Sequence, residues 1–164
     1  MIVKDAMVVI HLAKITLLEK SCSYFRKVII PMRVYEEINA GLEFGHSEVI
    51  LIEDLIKIKK IEVQKIKNKN LLKKANEFNL QQGEAESVAL YWEMRADYLA
   101  TDDDNVRRKK DILNLKIIGT PAIVIKLYRN NKIEKEKFLE SVKRLKEIGW
   151  FSNSVIDKML VEAK

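Results

Sequence analysis

Carboxylates recur in this chain where an apolar run ends or a helix begins. Asp5 follows the apolar pair at 2–3, and Asp102, Asp103 and Asp104 follow "DYLAT" at 97–101. Glu36 and Glu37 lie in "PMRVYEEINAG", Glu84 and Glu86 in "QQGEAESVALYWEMR". Ionised carboxylates brought within a few ångström of one another repel unless a cation neutralises them. A donor set made of hard oxygens, with no cysteine or histidine in it, suits Mg²⁺ or Mn²⁺ and argues against zinc. Such ions hold a phosphodiester, acidify a bound water and stabilise the leaving oxygen, so phosphodiester hydrolysis is the chemistry these residues predict. Taken singly, each acid has an ordinary use as a helix cap, a turn residue or a complement to a helix dipole. Only their joint placement points to a site.

That placement depends on the elements that carry them. Short apolar or alternating runs at 2–3, 27–30, 61–66, 97–101 and 115–119 read as strands, separated by segments of helical length. Pro31 is placed to open a helix that Gly41 stops. Val88, Ala89, Trp92 and Arg95 share helical spacing, and "DDNVRRKKDILN" begins on an aspartate cap. Strand alternating with helix predicts a parallel sheet covered on both faces. In an open sheet of that kind ligands gather beyond the carboxyl ends of the strands, where strand order reverses. Asp5 and the aspartate cluster would then face one crevice, with Glu36, Glu37, Glu84 and Glu86 at the same end. Past the last strand the chain reads as helical, through "TPAIVIKLYRNN", "EKEKFLESVKRLKEIGW" and "NSVIDKMLVEAK". The expectation is a domain over residues 1–130, with the helices of 131–164 packed on it. Val155, Ile156, Met159 and Leu160 form the apolar stripe of the last helix.

The 164 residues suffice for one core, since a domain of about 150 residues buries roughly 70% of its unfolded surface. The single cysteine, Cys22, cannot form an internal bridge and reads as a small buried filler in a reducing, cytoplasmic setting. Lys4, Asp5 and His11 break up the apolar opening, and no stretch reaches the ~18 apolar residues of a membrane span. The formal charge is +6 and uneven, with "KIKKIEVQKIKNKNLLKK" at 57–74 strongly basic. A basic rim around an acidic centre suits a polyanion.

The chain resembles the PIN-domain ribonucleases, in particular the small archaeal and bacterial group related to the toxin halves of toxin–antitoxin pairs. The resemblance is carried by "IVKDAMVVIHLAKITLLEK", "VIIPMRVYEEINAG", "QQGEAESVALYW" and "YLATDDDNVRRKKDILNLKIIGT", in that order, across most of residues 1–125. It implies a three-layer α/β/α sandwich whose five-stranded parallel sheet runs 3-2-1-4-5, here with a C-terminal helical elaboration. It also implies endonucleolytic cleavage of single-stranded RNA dependent on Mg²⁺ or Mn²⁺. By this resemblance the catalytic acids are Asp5, Glu37, Glu84 and Asp103, with Asp102 a further metal ligand. Arg107, Arg108 and Lys109 would contact RNA. A small antitoxin protein is the implied partner; a homodimer is expected because symmetric dimers are common among soluble oligomers and the helical C-terminal third could provide the interface.

The chain departs from the family where Ala6 and Met7 follow the first aspartate, places that usually hold a hydroxyl or amide; Thr101 is the polar neighbour on the other strand. A PIN-like protein that binds RNA or an antitoxin without cleaving is the rival reading. A phosphorelay receiver domain is excluded: it needs an acidic pair after strand one and a lysine closing strand five, where this chain has Asp5 alone and Gly119. His11 and His46 have no nucleophile nearby in sequence and read as packing or surface residues. Trp92 and Trp150 read as core or interface anchors.

Overall fold

The computed structural model of the protein describes residues 1–41 and 47–164; His46 lies outside the described residues. Five strands, β1 (Ile2–Lys4), β2 (Val28–Pro31), β3 (Glu62–Gln64), β4 (Tyr98–Ala100) and β5 (Ile117–Ile118), form one sheet in the order β3-β2-β1-β4-β5. Every pairing is parallel. Strand order therefore reverses between β1 and β4, the neighbours whose ends carry Asp5 and the aspartate cluster.

Covering both faces with helices explains why these strands are apolar at consecutive positions. Side chains alternate between the faces. Ile2, Ile30 and Ala100 enter one core with α1 (Ala6–Lys14), α2 (Leu18–Phe25), α3 (Met32–Ala40), α4 (Glu48–Lys57) and α8 (Thr120–Arg129). Val3, Ile29 and Leu99 enter the other with α5 (Lys69–Asn76), α6 (Gln82–Met94) and α7 (Asp104–Arg108). The result is the three-layer α/β/α arrangement the sequence implied.

The last two helices, α9 (Lys135–Ile148) and α10 (Asn153–Val161), have no core of their own. Phe138, Val142 and Leu145 from α9 and Ile156 and Met159 from α10 join the cluster that contains Ile2. The Phe138 ring stacks on Tyr128 of α8 at 4.5 Å. Of the stripe expected on α10, Ile156 and Met159 are buried and Leu160 is exposed. Gly149 ends α9 with φ of 77°, a left-handed conformation that glycine adopts without a Cβ clash. That turn sends Trp150 back toward the sheet.

Two local readings need adjustment. Pro31 ends β2, paired with Gln64, and caps α3 from one place earlier than a first helical residue. The helix begun by Asp103 is only five residues long, after which the chain passes through turns to Asn114, whose φ is 51°.

Lys4 closes β1 on the face shared with Ile2 and is fully buried, its Nζ donating to Ser21 Oγ and lying 5.6 Å from the Phe25 ring centroid. Burial pulls its ammonium down to about 8, with neighbouring Cys22 partly opposing. Cys22 is itself buried, and burial pushes its thiol up, as befits packing and not reactivity. A lysine whose folded pKa lies below 10.5 gives up its proton in the folded chain while the unfolded chain still holds it, so stability should rise from about pH 8 to pH 10. Lys4→Met should stabilise the protein by about 2 kcal/mol near pH 7 by removing the buried charge. Urea unfolding of both proteins checks this, and a destabilised variant would show that the bond to Ser21 outweighs the cost of burial.

Candidate active site

Asp5 is the N-cap of α1: its Oδ1 accepts the Val8 N–H at 3.1 Å, and its own N–H donates to the Ala100 carbonyl of β4. The carboxylate is thereby locked at the crevice between β1 and β4, only 7% exposed. Burial raises its pKa to about 7. The Thr101 hydroxyl and the Val8 N–H oppose that rise, while the charges of Asp102 and Asp103 add to it. Thr101 thus supplies beside Asp5 a hydroxyl that Ala6 and Met7 cannot.

Asp103 stands across the crevice. Its Oδ1 caps α7, accepting N–H groups of Asn105 at 2.8 Å and Val106 at 3.2 Å, and its own N–H donates to Thr101 Oγ1. Asp102, its neighbour, turns the opposite way. Oδ1 of Asp102 accepts the Thr120 N–H at 2.7 Å, and Oδ2 accepts both His11 Nδ1 at 2.7 Å and the Thr120 hydroxyl. Asp102 and Asp103 thus have different hydrogen-bond partners, while the charges of both act on Asp5. Asp102 is buried in a fastening of β4 to α1 and α8. Asp104 is exposed.

The glutamates form a second group. Glu84 closes a capping box at the start of α6, its Oε2 accepting the Gln81 N–H at 2.9 Å and Asn105 Nδ2 at 3.3 Å. Asn105 thereby ties this group to the helix that Asp103 caps. Glu37 reaches from α3 to the same turn, where a Cβ on Gly83 would run into its Oε1. Burial raises the Glu37 pKa, Arg33 lowers it, and Glu84 and Glu86 raise it further. Glu86 is occupied in accepting the Arg33 N–H at 3.0 Å, and Glu36 pairs with the Arg33 side chain at the surface. Glu37 thus lies at the turn where Glu84 closes its capping box, and the charges of Glu84, Glu86 and Glu36 all act on it.

None of Asp5, Glu37, Glu84 or Asp103 forms an ion pair with a lysine or arginine among the described residues. Among those residues no three His, Cys, Asp or Glu side chains stand close enough together to hold a metal ion. The acids thus lie at one end of the sheet, with Asn105 linking Glu84 to the helix that Asp103 caps, and form no closed cage among the described residues. Donors of this kind fit Mg²⁺, which commonly keeps several waters and takes only one or two carboxylates from the protein.

Among the basic residues, Arg107 and Arg108 are exposed. The Lys109 Nζ donates to the Phe78 and Asn79 carbonyls and to Asn105 Oδ1, holding the linker before α6 against α7. His11 is buried against Trp150 and Phe151, a packing role with one hydrogen bond to Asp102. Trp92 donates to the Leu113 carbonyl and is half-buried, an anchor as its sequence context implied. Asn105, Thr120 and Trp150 do not stand out in the sequence as site residues, although the polar residue opening α8 after Gly119 is a signal for the second of them.

Gly83 gives the site a sharp test. Gly83→Ala sits in the first turn of a helix, where alanine is favoured by roughly 0.5–1 kcal/mol, and the clash is with the movable end of one side chain. Stability should hold or rise slightly while Glu37 is displaced and manganese affinity falls. Paired thermal melts and calorimetric titrations check this; unchanged affinity would remove Glu37 from the ligand set.

Comparison with known proteins agrees with this architecture: a family model described as a PIN domain matches residues 1–164. No curated protein and no solved structure matches the chain. No helix among the described residues is long and apolar enough to cross a membrane.

Proposed function

Because the chain belongs to the PIN-domain family, whose members are generally nucleases using divalent metals, we propose that it is an endoribonuclease cleaving single-stranded RNA with Mg²⁺ or Mn²⁺. The observation that supports this reading most is Asp5. A carboxylate buried at the strand-order reversal, under the charges of Asp102 and Asp103 and paired with no lysine or arginine among the described residues, is a costly arrangement that a bound ion would relieve.

Asp5 and Asp103 would hold the ion, with Glu37 and Glu84 completing the acidic rim. Bound there, a divalent cation supplies charge to offset the phosphate and acidifies a water. The residues of the chain do the positioning. Thr101 fixes both aspartates, touching the Asp5 carboxylate and the Asp103 backbone. Gln81 and Asn105 fix Glu84, and Gly83 leaves room for Glu37. In the ion-free protein the Asp5 carboxyl holds a proton below about pH 7, so proton and metal compete for the same oxygens. Arg107 and Arg108 draw the phosphate backbone to the rim.

Cleavage of an unstructured oligoribonucleotide should therefore stop on addition of EDTA and resume with excess Mn²⁺. Cleavage that persists in EDTA, or no cleavage of varied RNAs by protein that binds manganese, would overturn the proposal.

A further inference from the structure

A cavity of about 650 Å³ opens next to the acidic rim, between the start of α8, α7 and the turn joining α9 to α10. It is bordered by Asp104 and Arg107 on the rim side and by Trp150, Phe151, Ala122 and Lys158 on the other. Its size falls in the range of small-molecule sites. Trp150 is the informative residue. Its indole N–H donates to the Asp102 carbonyl at 3.1 Å and its ring lies 6.0 Å from that of His11, yet half of its surface is exposed. Its polar handle is satisfied and its orientation fixed, so the exposed ring surface serves neither the core nor a hydrogen bond. Arg107 and Lys158 border the same space, and neither pairs with a carboxylate among the described residues. A Cβ on Gly119 would lie 2.8 Å from Arg107 Nη1, so this glycine makes room for the guanidinium at the cavity's edge.

An aromatic surface anchored through its N–H and flanked by two cations without a carboxylate partner among the described residues, in a cavity that Asp104 also borders, matches an unpaired nucleotide: a base that stacks and a phosphate that needs positive charge. We propose that this cavity binds one nucleotide of the RNA strand beside the scissile phosphate, its base against Trp150 and its phosphate between Arg107 and Lys158. The inference rests on the nuclease reading of the acidic site and adds to it a subsite built from the C-terminal helices.

The test has a readout independent of cleavage. With Trp92→Phe, Trp150 becomes the remaining tryptophan of the two, and an unstructured oligoribonucleotide should quench its emission. Oligonucleotides carrying one abasic position should, at a single register, lose the quenching and bind about tenfold more weakly. Ala122→Leu narrows the cavity without touching Trp150 and should raise KM for cleavage about tenfold at similar kcat, with the melting temperature unchanged. Absence of quenching by bound RNA, or equal loss at every abasic register, overturns the subsite even if cleavage is normal. So would full RNA affinity in Ala122→Leu, the result expected if a protein side chain occupies the cavity instead. Quenching that follows the abasic register in a protein that cleaves nothing would support the subsite while overturning the nuclease reading.

Discussion

Asp103→Asn should lower metal-supported RNA cleavage by on the order of a hundredfold or more while leaving the fold and its melting temperature essentially unchanged. Two tasks meet in this side chain, and the substitution separates them. As a cap, Oδ1 receives the N–H groups of Asn105 and Val106, and an asparagine oxygen in the same place performs that task about equally well. As a ligand, the residue contributes a negative charge that an amide lacks. Single-turnover cleavage with Mn²⁺, alongside a thermal melt, checks both halves. A variant that cleaves like the wild type would exclude Asp103 from the site, and added manganese should rescue EDTA-treated wild type but not the variant.

Asp5→Asn, by contrast, should change stability, stabilising the metal-free protein near pH 8 by a few kcal/mol and by much less near pH 4. The folded pKa of about 7 lies well above the ordinary 3.8. The folded protein therefore retains a proton that the unfolded chain gives up between those values, and the wild type loses stability as pH rises toward 7. Above that the cost of a buried charge is carried in full, at roughly 1.4 kcal/mol for each tenfold difference in proton affinity between the folded and unfolded chain. Asparagine avoids it. Urea unfolding in EDTA at the two pH values measures the difference, and an equal effect at both would show that ionisation of Asp5 is not its source. Manganese should then stabilise the wild type more than the variant, because binding to the folded state alone adds to stability by mass action.

The strand positions were legible because their physical cause is local: each run is apolar at consecutive positions, as a sheet covered on both faces requires. Asp5 and Asp103 were legible as residues at strand ends, and each caps the helix that follows it. The directions of side chains were not. Sequence places Asp102 beside Asp103, but its partners His11 and Thr120 are brought to it by α1 and α8, and only the assembled layers show that both its oxygens are occupied. The partners of Lys109 were illegible for the same reason, since the Phe78 and Asn79 carbonyls lie 31 and 30 residues away. Lys4 looks in the sequence like an interruption of an apolar run, and it is a buried member of that run. Nor does the sequence show that the α3 backbone engages Glu86, whose Oε2 accepts the Arg33 N–H.

The bond from Trp150 to the Asp102 carbonyl spans 48 residues of chain. Ribosomes extend a chain by about 5–20 residues each second, and earlier segments begin to fold as they emerge. The loop bearing Asp103 can thus take its place on the sheet seconds before its last fastening exists. Nascent chains carry the acidic loop held from one side only, by His11 and Thr120, until residue 150 has left the exit tunnel. A polypeptide stalled short of that point would lack the bond to the Asp102 carbonyl while keeping the other hydrogen bonds of the acids.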